Sequence, residues 1–122
     1  MGRNTLIKKR SSTKHTHLVN CHGGKGSIDL TEVLVGKNTK LGHIRFFHDD
    51  VLPPGASVGI HHHENDEEYY YILSGKGVMT LDGEQFEVEE GDLTAVYPGG
   101  THGLENNSHD DLHVIVICIY PH

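Results

Sequence analysis

The stretch that decides the fold is GASVGIHHHENDEEYYYILSG, residues 55–75. Glycine closes each end, and three histidines, a cluster of acids and three tyrosines lie between. On a β-strand, side chains at positions i and i+2 project to the same face, so His61 and His63 point together and His62 points away. Two imidazoles on one face can share a metal ion with ligands from neighbouring strands. A solvated, histidine-rich loop explains these residues equally well at this point, because the chain contains 12 histidines.

Around this stretch, short apolar segments alternate with turn signals, and no segment has sustained helical periodicity. The predicted strands cover residues 28–35, 42–52, 56–63, 69–74, 77–88, 92–98 and 111–120. Asp82 and Gly83 divide one of these segments into a hairpin, because both residue types tolerate positive φ. Many short strands at regular spacing indicate an all-β sandwich or barrel. The final strand is nearly continuous in apolar residues and is predicted to be buried on both faces.

The spacing of glycines and ligand-type side chains forms a first pattern. Gly55 is followed after five residues by His61, one residue separates His61 from His63, four more lead to Glu68, and six more lead to Gly75. This resembles the first signature of the cupin superfamily, which is glycine, five residues, His-x-His, three or four residues, glutamate, six residues and glycine. The strand interpretation fits the same assignment.

A second pattern follows after a short interval. Gly99, His102 and Asn106 lie eight, eleven and fifteen residues beyond Gly91. This order is similar to the second cupin signature. The one departure is Tyr97, which stands where the signature has proline, and the histidine keeps its register. The two patterns together identify the chain as resembling a small, single-domain, metal-binding cupin.

The resemblance implies an all-β cupin double-stranded β-helix, a jelly-roll barrel that is usually dimeric or larger, and we expect a homodimer here. It also implies one divalent transition metal per chain (Mn, Fe, Ni, Co, Cu or Zn) and a small-molecule ligand. Carried over by position, the metal ligands are His61, His63, Glu68 and His102. Three neutral imidazoles and one carboxylate suit such a metal. An octahedral shell would then keep two positions for water or a chelating ligand.

The acids near Glu68 are alternative ligands that the spacing disfavours. Glu64, Asp66 and Glu67 could each bind a metal, but only Glu68 leaves six residues before Gly75. We therefore expect the other three acids to form a solvated turn.

Two further side chains are candidates for substrate binding. If Glu68 faces inward, strand alternation also aims Tyr70 inward, where it either donates a hydrogen bond to a substrate or lines the barrel. Tyr69 and Tyr71 then point outward and suit a subunit interface. Arg45 either holds a substrate carboxylate inside the barrel or lies at the surface. The glycine-rich HGGKGS segment, residues 22–27, lacks the features of a phosphate loop and is predicted to be a turn.

Charge is unevenly distributed along the chain. The formal net charge is -7, yet the first fourteen residues contain five basic side chains and no acid. We predict a flexible basic N-terminal arm over residues 1–17 and a single cupin domain over residues 18–122. An acidic domain argues against nucleic-acid binding. No apolar run reaches the roughly 20 residues that span a membrane, and two distant cysteines form no disulfide framework, so a soluble cytoplasmic protein is expected.

Metal binding alone does not identify a reaction, because cupins of this pattern include isomerases, dioxygenases, decarboxylases, lyases and non-catalytic binding proteins. The first hypothesis is a metal-dependent enzyme that acts on a small polar or anionic metabolite. The second is a sugar- or acid-binding or sensing module without turnover. The third is a metal-free protein whose histidines respond to pH. The sequence identifies no catalytic residue.

Overall fold

The computed structural model of the protein describes residues 4–121 and consists of two antiparallel β-sheets. The strands are β1 (Lys14–Val19), β2 (Ser27–Val35), β3 (Ile44–Leu52), β4 (Ser57–His62), β5 (Glu67–Ser74), β6 (Lys76–Leu81), β7 (Glu84–Glu89), β8 (Leu93–Val96), β9 (Thr101–Glu105) and β10 (Leu112–Ile119). The larger sheet has the order β1-β2-β3-β10-β5-β8, and the smaller sheet has the order β4-β9-β6-β7. Among the described residues, one 3₁₀ turn precedes β1, a second connects β1 to β2 and a third connects β2 to β3.

The path of the chain between the two sheets is that of a jelly roll. From β3 to β10 the chain alternates between the larger and the smaller sheet, except where β6 and β7 pair within the smaller one. The predicted cupin fold is therefore confirmed. Among the described residues, no hydrogen-bonded seam joins the two sheets into one closed barrel, so the molecule is a sandwich of facing sheets.

The core fills the space between the sheets. Ile72, Leu112 and Val114 of the larger sheet and Met79 of the smaller one are fully buried, and Leu104 is almost so. These apolar side chains alternate along their strands with outward-facing residues, as expected for two sheets that pack face to face. Burial of this apolar surface is the main source of stability. It also fixes which face of β4, β5 and β9 points inward.

Two strands, β1 and β9, are absent from the prediction. β1 is an edge strand that pairs only with β2, and none of its residues is buried. Its sequence KHTHLV therefore lacks the apolar alternation by which strands are recognised. The boundary between arm and domain, predicted at residue 17, falls inside this strand and stays a prediction. Residues 1–3 of the predicted arm lie outside the described residues.

The strand β10 differs from its prediction in one respect. It lies between β3 and β5, and its residues alternate between buried and half-buried. Val114 and Val116 point into the core, whereas Ile115 and Ile117 lie on the outer face. The prediction of burial on both faces was wrong, because no part of the chain that the structure describes covers the outer face of the larger sheet completely.

The predicted hairpin between β6 and β7 is confirmed. Asp82 and Gly83 have φ angles of 48° and 84°, and Leu81 pairs with Glu84 across the turn. Among the described residues, no helix is both long and apolar enough to cross a membrane.

Candidate metal centre

Three strands bring the four predicted ligands together between the sheets. His61 on β4 pairs directly with His102 on β9, and His63 follows immediately after β4. Glu68 lies on β5 of the opposite sheet and faces the three histidines across the sandwich. One potential ligand atom from each of the four side chains lies within 4.8 Å of all the others. Because the four residues come from both sheets, the centre depends on the packing of one sheet against the other.

The Nε2 atoms of the three histidines lie close to the carboxylate and to one another. Glu68 Oε1 is 2.9 Å from His102 Nε2, 3.3 Å from His63 Nε2 and 3.9 Å from His61 Nε2. His61 Nε2 and His102 Nε2 are 3.1 Å apart. The four atoms therefore surround one small volume.

The far nitrogens of two histidines have partners that fix their tautomers. His61 Nδ1 donates to the Gly59 carbonyl oxygen at 2.8 Å, and His63 Nδ1 donates to Asp66 Oδ1 at 2.7 Å. Carbonyl and carboxylate oxygens only accept, so Nδ1 carries the proton, and Nε2 of the neutral ring presents a lone pair to the centre. Bonds of this kind orient histidines that bind metals.

The central atoms themselves are not satisfied within the protein. Within residues 4–121, the buried atoms His63 Nε2 and Glu68 Oε1 have no hydrogen-bond partner of acceptable geometry, despite their proximity to each other. An unsatisfied buried polar atom costs about 1–3 kcal/mol. Convergent lone pairs of three imidazoles and one carboxylate are the ligand set that divalent transition metals accept. The residues present therefore fit a metal ion.

Electrostatics keep two members of the cluster, Glu68 and His102, in forms that can bind a cation. Burial alone would raise the pKa of Glu68, but the adjacent His102, His61 and His63 imidazoles outweigh it and lower this pKa to about 2. Burial lowers the pKa of His102 below its ordinary value, although Glu68 opposes this. At neutral pH the carboxylate is charged and the His102 ring is neutral, which are the protonation states that a metal requires.

The structure brings Tyr70 to the cluster and holds Arg45 at its edge. The Tyr70 ring is buried and meets the His102 ring edge-on, with centroids 4.9 Å apart. Burial, with Glu68 and other nearby groups, raises the pKa of Tyr70 well above its ordinary value, so its hydroxyl stays protonated. The half-exposed Arg45 side chain donates from Nη1 to Asp66 Oδ2 at 2.7 Å.

The expectation that Asp66 belongs to a solvated turn was wrong. Its side chain is buried and accepts bonds from His63, Arg45 and, at 3.3 Å, the Cys118 thiol. Its neighbour Glu64 is exposed, as expected. The three-residue spacing from His63 was a usable signal, but spacing alone does not distinguish a buried acid from a solvated one.

Sequence reasoning also missed a fourth histidine at this centre. His22 lies on the 3₁₀ turn Cys21–Gly23, and its ring stacks on the His61 ring with centroids 3.7 Å apart and planes 10° apart. The prediction for residues 22–27 was a turn only. No pattern along the sequence links this turn to β4, because the contact exists only after folding.

A buried acid lies deeper between the sheets. Asp50 on β3 is buried, and its Oδ1 has no hydrogen-bond partner. Burial, Asp49 and Glu68 raise the pKa of Asp50 to about 8. The nearest ion-pairing atom is His48 Nδ1, 4.0 Å from Asp50 Oδ2. Asp50 is therefore largely protonated at neutral pH.

Known proteins share both the sequence pattern and this fold. Residues 49–118 match the cupin domain model. The chain is 33% identical over 114 residues to the oxalate-binding protein of Thermotoga maritima, and the alignment covers 93% of each chain. A crystal structure from Thermotoga maritima, described as that of a predicted oxalate decarboxylase, has a TM-score of 0.89 at 32% identity, covering 95% of this chain and 100% of that one.

A more distant relative shares the fold alone. The polyketide cyclase RemF from Streptomyces resistomycificus has a TM-score of 0.74 at 20% identity, with 94% of this chain and 79% of that chain covered. The family model spans more than half of the chain, and the Thermotoga relative aligns along nearly all of it. This chain therefore belongs to the cupin domain family.

Proposed function

We propose that this cupin is a metal-dependent enzyme that acts on a small dicarboxylate of the oxalate class. The observation that carries the proposal is the convergence of four ligand atoms, two of them buried and unsatisfied, on one small volume. His61, His63, Glu68 and His102 would hold one divalent metal, which is Mn, Fe, Ni, Co, Cu or Zn by the chemistry of the donor set. The relatives named for oxalate support the ligand class.

Charge favours an anionic ligand at this centre. Three neutral imidazoles and one carboxylate leave a bound divalent ion with a net positive charge, which attracts a dianion in the low dielectric of the interior. When bound, the metal supplies a Lewis acid that takes carboxylate oxygens. Arg45 holds Asp66 in place, so we assign it to supporting the centre rather than to holding the substrate.

Turnover needs a group that holds a proton close to the ligand. Tyr70 meets this requirement, because its ring lies against His102 and its hydroxyl stays protonated at neutral pH. A hydrogen bond from this hydroxyl would neutralise charge on a ligand carboxylate beside the metal. Tyr70 is our candidate for substrate binding, and a Tyr70→Phe variant would keep the ring while losing the donor.

The second candidate function is binding without turnover. The name of the oxalate-binding relative, which aligns along nearly the whole chain, favours this alternative. Binding and turnover use the same ligands and differ only in whether product forms.

The test begins with protein stripped of metal by a chelator and reloaded with each candidate metal in turn. We expect calorimetry to detect oxalate binding only in a metal-loaded form, and succinate to bind more weakly because its longer chain forms a poorer chelate. Release of formate or carbon dioxide would establish an enzyme, and binding without product would establish a binding protein. Oxalate binding that survives metal removal would contradict both.

For the assembly we propose a homodimer that forms through the outer face of the larger sheet. Ile115, Tyr71 and Leu93 are neighbours in register there, and Tyr71 and Leu93 are exposed. A continuous apolar row on a sheet face suits a subunit interface. Light scattering should give the mass of a dimer, and Leu93→Glu should give a folded monomer. A wild-type monomer would contradict the proposal.

The free thiols Cys21 and Cys118 support our proposal of a reducing, cytoplasmic location. Cell fractionation with the native protein would test it.

A further inference from the structure

The backbone of the turn that carries His22 is in direct contact with the backbone of β4. A Cβ added to Gly24 would lie 2.1 Å from the Ser57 carbonyl oxygen, and one added to Gly59 would lie 2.0 Å from the His22 carbonyl oxygen. Real Cβ atoms do not approach other atoms so closely, so both positions require glycine. Two hydrogen bonds fasten this contact, because Lys25 N donates to Ser57 Oγ and Ser57 N donates to the Lys25 carbonyl, each at 2.8 Å.

The same turn is held in a costly backbone conformation. Asn20 and His22 have φ angles of 54° and 51°, in the left-handed region that favours glycine. Such conformations cost of order 1 kcal/mol or more and persist where the surrounding structure enforces them. Cys21, between them, packs against the core, and Asn20 N donates to the Gly26 carbonyl at 3.0 Å to close the turn. We call residues 20–26 the docked turn.

The docked turn and Gly59 together hold His61 on two sides. The Gly59 carbonyl accepts the Nδ1 proton at one edge of the His61 ring. The His22 ring covers one face of the same imidazole in a nearly parallel stack. A ring held by an edge hydrogen bond and a face contact has little freedom to rotate about its side-chain bonds. Its Nε2 atom therefore stays directed at the other ligand atoms.

We propose that His22 is a positioning residue for the metal centre, held by the docked turn so that its ring keeps His61 in the metal-binding orientation. This inference rests on the proposed metal-binding function. If His22 has this role, the metal centre forms only when the docked turn contacts β4, although the docked turn supplies no metal ligand. The physical basis is preorganisation, since a ligand that is already oriented loses less conformational entropy when the ion binds.

The test compares variants of the turn by chelator competition in the full-length protein. We expect His22→Ala to weaken metal binding by about tenfold, as is typical when a group that orients a ligand is lost. His22→Phe should restore affinity to within about threefold of wild type, because an aromatic ring can stack as the imidazole does. Gly24→Ala keeps the histidine but prevents docking, so it should resemble His22→Ala. The matched control is His62→Ala, which removes the outward-facing histidine next to His61.

A second measurement needs no metal. Nitrogen-15 NMR of the metal-free protein should show one Nδ1–H tautomer for His61 in wild type and in His22→Phe, and averaging of ring states in His22→Ala. Wild-type affinity and unchanged His61 signals in His22→Ala would overturn the inference. Equal losses in His22→Phe and His22→Ala would also overturn it, since the imidazole nitrogens rather than the stacked ring would then matter. If wild type binds no metal, the proposed function fails, while the NMR comparison still decides the role of His22.

Discussion

Two histidine-rich regions of this protein use their ring nitrogens in opposite ways. The outer histidine group lies on the face of the larger sheet that points away from the core. Each of its members bonds to an oxygen of a neighbouring strand: His15 to Thr31, His17 to Asp29 and His113 to Asp49. His17 also uses its second nitrogen, which bonds to the Ser27 hydroxyl at 2.9 Å.

At the metal centre, by contrast, Nε2 atoms converge on one another. His61 and His102 have their Nε2 atoms 3.1 Å apart, and His63 Nε2 is buried without a hydrogen-bond partner. Lone pairs directed at one another are unfavourable unless a proton or a cation lies between them. The difference teaches that histidine content alone does not single out a candidate metal site, whereas convergent nitrogens without partners do.

The largest expected effect is on metal affinity, and it distinguishes the two histidine-rich regions directly. His102→Gln should weaken metal binding by about 100-fold or more, because loss of a direct ligand exceeds the roughly 10–100-fold effect of losing a group that orients one. His113→Gln in the outer group should leave the affinity unchanged. Chelator competition measures both, with thermal melting to establish that each variant is folded. If both variants lost metal affinity equally, the two histidine-rich regions would not differ in metal binding.

A smaller effect is expected at the residue that orients His63. Asp66→Asn removes the carboxylate charge that accepts from His63 Nδ1, and it should weaken metal binding by about tenfold. Glu64→Gln is the matched control, because Glu64 is an exposed acid of the same segment. If both variants bind metal as wild type does, Asp66 serves only its ion pair with Arg45.

A substitution at Asp50 tests the free energy of unfolding instead of metal affinity. The pKa of Asp50 is about 8 in the folded protein, against an ordinary value of 3.8 that applies in the unfolded chain. Between these pH values the folded state binds more protons than the unfolded state. The free energy of unfolding therefore falls as pH rises through this window. Asparagine does not titrate, so Asp50→Asn should raise the free energy of unfolding by about 1 kcal/mol near neutral pH. Urea unfolding should show this gain to be larger at high pH than at low pH. A gain independent of pH would mean that Asp50 is not protonated in the fold.

The smallest effect is expected in the outer histidine group. His17 and Asp29 are both more than half exposed. His17→Ala should change the free energy of unfolding by less than about 1 kcal/mol, because exposed pairs contribute little, and it should not change metal affinity. Chemical unfolding and chelator competition measure the two quantities. A measurable loss of metal affinity would mean that the outer group also binds the ion.

Much of the fold and of the centre could be predicted because the relevant signals are local. Strand alternation has a period of two residues, so the segments that became β2 to β8 and β10 could be recognised without knowledge of their partners. The Asp82-Gly83 turn is encoded by two adjacent residues. The spacing of the two cupin patterns likewise predicts which four side chains lie together, and the structure brings them together.

The remaining features could not be predicted because they depend on residues that are distant in sequence. β9 is a short strand whose residues His102 and Gly103 are buried by β4 and β6 on either side of it. Asp66 is buried because Arg45 and Cys118 approach it from other strands. His22 reaches His61 only because Gly24 and Gly59 let two backbones touch.

The sequence by itself therefore determined most of the strand pattern, the cupin fold and the identity of the four converging side chains. Only the tertiary structure decided which ring nitrogens are left without partners, which acid is buried and which side chain covers His61. The physical reason is that the two kinds of feature depend on interactions over different distances along the chain. Backbone alternation and turn chemistry act over a few residues, whereas satisfaction of a buried polar atom depends on every strand that packs against it.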